Sequence, residues 1–166
     1  ATEAVRTTRE VDGSVLPQAE EALHGAVTAA RVVDVFPGVG GALAWSPDGT
    51  FFVPEGPEQS GRIEIRDAAT GELVRSWVGH EIDLNDVFIS ANATVATSGD
   101  DGAAVAWDPK TGKEIGRIQS PSSPSDTWSP QLSADGSVLA AGDGGAGSVR
   151  VLNIKTGRQR EFTGLD

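Results

Sequence analysis

The sequence predicts an all-β fold of radially arranged, four-stranded antiparallel blades, about three of them in an incomplete ring, with one N-terminal α-helix. Two observations carry that expectation. A motif returns about every 43 residues, at Ala44-Trp45-Ser46-Pro47-Asp48-Gly49-Thr50, at Val87-Phe88-Ile89-Ser90-Ala91-Asn92-Ala93-Thr94 and at Gln131-Leu132-Ser133-Ala134-Asp135-Gly136-Ser137. Each copy is followed by a short apolar run, a Gly-rich turn, a second run and a closing tripeptide: Ala69-Thr70-Gly71, Lys110-Thr111-Gly112 or Lys155-Thr156-Gly157. Four short β-type runs punctuated by turn residues therefore fall in every repeat.

Units of that length and strand number are blades of β-propeller type, and the elements can be taken in order. Residues 1–13 are polar and without pattern. A helix follows in the N-terminal segment 1–30: Pro17 suits its first position, Glu20 and Glu21 its first turn and Arg31 its end. Ala19, Ala22, Leu23, Ala26, Val27 and Ala30 recur at helical spacing and form one narrow apolar stripe. Residues 31–36 (Arg-Val-Val-Asp-Val-Phe) then read as a strand that ends at Pro37-Gly38. Blade 1 (41–79) has strands near 42–46, 51–55, 62–66 and 72–78. Blade 2 (80–120) has them near 84–89, 94–98, 103–107 and 114–118. Blade 3 (121–164) has them near 127–132, 137–141, 148–152 and 158–163. Ser46-Pro47-Asp48-Gly49 joins the first pair through a turn whose Pro fixes φ and whose Gly permits positive φ.

The count is uneven. Residues 31–36 with their exit turn resemble an outer strand (compare Trp77-Val78-Gly79-His80) that lacks three strands of its own. Three blades also fall short of the four to eight of a closed ring. The expectation is a fragment of a longer protein; the alternative is a homo-oligomer whose copies cover the raw edges.

Composition narrows the function. The chain has 166 residues, no cysteine and 13 basic against 24 acidic residues, a net charge of −11. Thiolate chemistry and disulfides are excluded, and so acidic a surface disfavours nucleic acid. No run approaches the roughly 20 apolar residues of a membrane span, so no membrane partner is expected. Nothing at the N-terminus has the order of a secretion signal, and a cytoplasmic location is expected.

The second repeat is the fullest. Gly79-His80 opens it, Ala96-Thr97-Ser98-Gly99-Asp100-Asp101-Gly102 turns it, and Ala104-Val105-Ala106-Trp107-Asp108 closes its third strand. It resembles a WD40 repeat, over residues 31–164 as a whole. That resemblance implies a hydrogen-bonded tetrad, and the matching positions are His80, Thr97, Asp101 and Trp107. The first and third repeats have Arg66-Asp67 and Leu152-Asn153 in place of Trp-Asp, and no Gly-His ahead of them, so no tetrad is expected there. The N-terminal stretch is similar to the helical linker before WD repeats in large multidomain bacterial regulators of STAND type.

Sharper chemical readings compete with plain ones. His80 and Asp101 with Thr97 or Ser98 would make a nucleophile–base pair, but the blade motif already accounts for them. Gly142-Asp143-Gly144-Gly145-Ala146-Gly147 matches G-x-G-x-x-G, yet Ser148-Val149-Arg150-Val151-Leu152 after it reads as a strand where a dinucleotide site needs a helix. Asp100-Asp101-Gly102 lacks the alternating oxygen ligands of a calcium loop. No cofactor, metal or catalytic residue is expected. A propeller-type hydrolase or oxidoreductase would need polar groups where the inner strands start, and Gly41-Ala42-Leu43, Leu84-Asn85-Asp86 and Thr127-Trp128-Ser129 offer few.

Three loops exceed what a blade requires: 55–61, 119–126 and 142–147. They are expected at one end of the blades, where Glu55, Glu58, Gln59, Asp126, Trp128 and Asp143 would form a partner-binding rim. Its acidity points to a basic protein or peptide. The expected function is a non-enzymatic interaction scaffold or sensor module; the alternative is a small self-assembling propeller that binds a ligand between subunits.

Overall fold

The computed structural model describes residues 40–55, 60–120, 127–143 and 147–164, and for 40–43, 55, 127, 128 and 143 the backbone alone. All fall in one compact unit, Gly38–Asp166. The expected N-terminal helix and the strand at 31–36 lie outside the described residues.

Three four-stranded antiparallel sheets follow one another along the chain. The first holds β1 (Gly40–Trp45), β2 (Phe51–Glu55), β3 (Arg62–Asp67) and β4 (Leu73–Val78). The second holds β5 (Leu84–Ile89), β6 (Val95–Gly99), β7 (Ala103–Asp108) and β8 (Lys113–Gln119). The third holds β9 (Thr127–Leu132), β10 (Val138–Asp143), β11 (Ser148–Asn153) and β12 (Gln159–Thr163). In each, sequence order is spatial order, as short turns dictate. The sheets are blade-like, and the described residues do not close a ring.

Two side-chain devices, repeated in every sheet, hold the turns. Where the first strand turns into the second, a carbonyl oxygen at the tip accepts from the residues two before and two after it. Asp48 Oδ1 takes Ser46 Oγ (2.8 Å) and Thr50 N–H (3.1 Å); Asn92 Oδ1 takes Ser90 Oγ and Thr94 N–H; Asp135 Oδ1 takes Ser133 Oγ and Ser137 N–H. Hydroxyls and amides crowded on one oxygen favour its ionised form, and the Asp135 carboxyl is lowered to about 2, first by Ser133 and Ser137. Where the third strand turns into the fourth, Asp67 and Asn153 accept from the N–H of Thr70 and Thr156, and Asp108 from the Thr111 hydroxyl. The glycine of each closing tripeptide then takes the left-handed conformation, with φ near 70° at Gly71, Gly112 and Gly157.

Packing follows the two-residue period of the strands. Val95, Ala103, Val105 and Trp107 pack towards Val53, Ile63 and Ile65 of the first sheet. The intervening Ala96, Ala104 and Ala106, with Ile118, pack towards Leu132, Leu139, Ala141 and Leu152 of the third. β6 and β7 are thus buried on both faces, which is why Ala103–Trp107 is an unbroken apolar run where a one-sided strand would alternate. The outermost strands meet solvent, and β12 is exposed throughout.

The two junctions differ at their turn ends. Between the second and third sheets, Asn92 donates from its backbone to Ala134 O (3.2 Å) and from Nδ2 to Asp135 O (2.7 Å). Ser129 Oγ also donates to Asp86 Oδ2 (2.6 Å) and Arg150 Nη1 to Gln119 O (2.8 Å). Among the described residues no equivalent bond joins the turn at 46–50 to that at 90–93.

Leu139 is fully buried in the second junction while Leu73 is half exposed. Leu139→Ala is therefore expected to cost about 2–5 kcal/mol, and Leu73→Ala to stay within about 0.5 kcal/mol. Urea unfolding of both variants checks the difference; equal losses would mean that the sheets do not share this core.

Candidate functional site

His80, Thr97, Asp101 and Trp107 come from four places in the chain, and the fold brings them together on the face of the middle sheet that meets the first. His80 lies in the connection between β4 and β5, where the backbone is fixed before the ring. Gly79 and His80 both donate their N–H to Gly61 O, at 2.9 and 3.1 Å. Gly61 has φ +53°, and a Cβ there would stand 2.0 Å from the His80 carbonyl oxygen, so the two loops meet this closely only through glycine. Gly99 makes room on the other side, since a Cβ there would reach 2.6 Å from His80 Nδ1.

From that anchor runs an unbroken chain of hydrogen bonds. Trp107 Nε1 lies 2.8 Å from Thr97 Oγ1, Thr97 Oγ1 lies 2.7 Å from His80 Nε2, and His80 Nδ1 lies 2.9 Å from Asp101 Oδ1. Its direction follows from the donor inventory together with burial. Indole N–H can only donate, so Thr97 Oγ1 accepts from Trp107, and the Asp101 carboxylate can only accept, so His80 Nδ1 carries a proton. Burial pushes the His80 pKa down, outweighing the hydrogen bond and charge of Asp101, which favours the neutral ring; its Nε2 then accepts the threonine proton.

Asp101 closes the network at the surface. Burial works to raise its pKa, but the hydrogen bonds from His80, Glu81 N–H and Ala103 N–H together hold it below the usual value. Gln119 Nε2 donates to its backbone oxygen (2.9 Å), so one residue ties the β4–β5 connection to β7 and β8. Beside the chain, Trp77 packs against Trp107 with ring centroids 5.7 Å apart and planes inclined at 56°. At the positions that match Trp107 in the other sheets, Arg66 bonds Glu64 and Gly71 O, and Leu152 is packed in the core.

The order Thr97–His80–Asp101 has the spacing of a nucleophile, base and orienter. Its surroundings remove that chemistry. Thr97 is fully buried and its oxygen already accepts from Trp107, so no substrate carbon can reach it. Ser98 points to the opposite face of β6, is equally buried, and its hydroxyl has no partner. Among the described residues no cluster of His, Asp or Glu is placed to hold a metal ion, and no helix is long and apolar enough to cross a membrane.

A cleft of about 550 Å³ opens beside the chain, lined by Val78, Glu81, Asp101, Arg117 and Gln119. Arg117 is held by Glu114 at 2.8 Å, which raises its pKa. Around the cleft Asp100 donates its N–H to Asp83 O (3.0 Å) and accepts from Asn85 Nδ2 (2.7 Å), so Glu81, Asp83, Asp100 and Asp101 gather at one end of the sheets. Of the expected rim residues, Glu55 ends β2 opposite Gly40, Trp128 pairs with Gly142, and Asp143 pairs with Ser148 and Thr127; their side chains, and Glu58, Gln59 and Asp126 altogether, lie outside what is described. No family model matches the chain, and no curated protein matches it.

Two predictions separate adjacent residues and pH values. Thr97→Val keeps the shape but strands Trp107 N–H and His80 Nε2, at roughly 1–3 kcal/mol for each group left unpaired, whereas Ser98→Ala removes a hydroxyl that has no partner and is expected to be neutral or stabilising. Urea midpoints decide; a stabilising Thr97→Val would mean the chain of bonds is absent. The second concerns acid. A histidine depressed below its ordinary 6.5 binds its proton more readily when unfolded, so stability falls as pH drops through 6.5; Asp101, depressed below 3.8, adds a further loss below that value. Unfolding at pH 7.5 and 5.5 is expected to show the lower stability at 5.5, and His80→Gln to remove that difference.

Proposed function

We propose that the chain is a WD40-like segment of β-propeller type that works without chemistry, as a protein- or peptide-binding scaffold within a larger signalling protein. The observation that carries the reading is the use to which its best-organised polar groups are put. His80, Thr97, Asp101 and Trp107 are spent on one another, the first two and Trp107 buried and Asp101 at the surface end, and arranged to fix the register of a blade. The WD-repeat pattern of the second repeat agrees with that use. Exposed polarity gathers instead at one end, in Glu81, Asp83, Asp100 and the surface edge of Asp101, where a net negative field attracts a basic partner.

The reading is tested by binding of lysine- and arginine-rich peptides to the immobilised chain, with acidic peptides of equal length as controls. Retention of the basic set is expected, with loss at high salt as exposed charges are screened, and a several-fold loss on combining Glu55→Lys, Glu58→Lys and Glu81→Lys. Equal retention of the two sets, or binding indifferent to the reversal, would sink the acidic rim as a contact surface.

A further inference from the structure

At the end of the sheets away from the acidic rim, a groove of about 510 Å³ runs between the first sheet and the second. Phe51 and Ile65 lie beneath it, and Val74, 62% exposed, and Pro109 stand at its sides. The groove exists because of a local difference between the two junctions. At the other junction Ile154 occupies the position that Pro109 has here, and it packs into the core against Gly116. There the turns are also laced together through Asn92. Pro109 is too short to fill the same space, and Asp48, which stands where Asn92 stands, has no N–H₂ group with which to lace.

Two carboxylates edge the opening. Asp48 and Asp67 each use Oδ1 to hold their own turn, and the second oxygen of each takes no hydrogen bond among the described residues. Both acids are held below their ordinary pKa, Asp48 first by Ser46 and Asp67 first by Thr70 N–H, so both are ionised at neutral pH. Lys110 is the cation that lines the groove with them, and the carboxylates outnumber it. An apolar floor with fixed negative charge at its edge selects an apolar anchor beside a cation.

We propose that this groove docks a short extended segment of a partner protein that carries an aliphatic side chain next to an arginine or lysine. The inference rests on the scaffold reading above but uses a different surface from the acidic rim. The chain itself supplies a substitution that removes charge and keeps structure: Asn153 holds with an amide oxygen the same turn that Asp67 holds. Asp67→Asn should therefore leave the fold intact and, unlike Asp48→Asn, add no donor at the position from which Asn92 laces the other junction.

The experiment selects phage-displayed random heptapeptides on the full chain and measures the selected peptides by fluorescence polarisation. Peptides with adjacent aliphatic and basic residues are expected. Asp67→Asn should weaken them several-fold and Val74→Arg by about tenfold or more, with thermal midpoints unchanged, while Glu58→Lys with Glu81→Lys leaves them unaffected. Selected peptides that lack the aliphatic–basic pair, or that bind Val74→Arg as tightly as the parent chain, overturn the groove. Binding lost only in the rim variant overturns the groove and leaves the scaffold reading standing; selection of no peptide at all overturns both.

Discussion

The structure depends on one constraint: β6 and β7 must be buried on both faces at once. A sheet that packs on one side can alternate apolar and polar residues and tolerate errors on the wet side. β6 and β7 have no wet side, so every position of Ala103–Trp107 must suit a core. The division of size follows from that. Valines and Trp107 meet the first sheet, and alanines meet the third, where Leu132, Leu139 and Leu152 supply the bulk. At the second junction large residues thus meet small ones, so that one core takes its volume mainly from the third sheet.

Burial on both faces also explains why a polar chain occupies such a core. The β4–β5 and β6–β7 connections meet at the edge of the sandwiched sheet, where amides and carbonyls lose water and need partners. Asp101 accepts from Glu81 and Ala103 N–H, and Gly61 O accepts from two amides. His80 extends that satisfaction inward to Thr97 and Trp107, so the indole N–H is not stranded. Trp77, whose Nε1 has no partner although its ring packs at a tilt against Trp107, shows what the same ring looks like without such a chain.

Most of the strand architecture was legible in the sequence because turn chemistry is local. Ser-x-Asp or Ser-x-Asn and the Thr-Gly tripeptides set both ends of the hairpins, and each observed strand lies within about two residues of its expected span. The gathering of His80, Thr97, Asp101 and Trp107 could be placed through resemblance, since the four are spread over 28 positions (80 to 107) and no local spacing links them. Other features were not legible. The unpartnered hydroxyl of Ser98 depends on the alternation of β6 and on the third sheet packed beyond it. The groove beside Val74 depends on Pro109 falling short where Ile154 reaches, a comparison that needs both junctions in space.

That last contrast bears on how a repeated fold acquires a specific surface. The three sheets share their turn devices nearly atom for atom, with Asp or Asn serving equally as acceptor. For the turn the choice is neutral, because the carbonyl oxygen is common to both side chains. For the junction it is decisive. The amide of Asn92 has a donor left over to bridge to the next turn, and the carboxylate of Asp48 has a negative oxygen left over and nothing to give. One substitution that hairpin formation does not register thus closes one junction and leaves the other open and charged. Sites in a repeat protein can arise in this way, from positions where the repeat constrains one atom of a side chain and leaves the next one free.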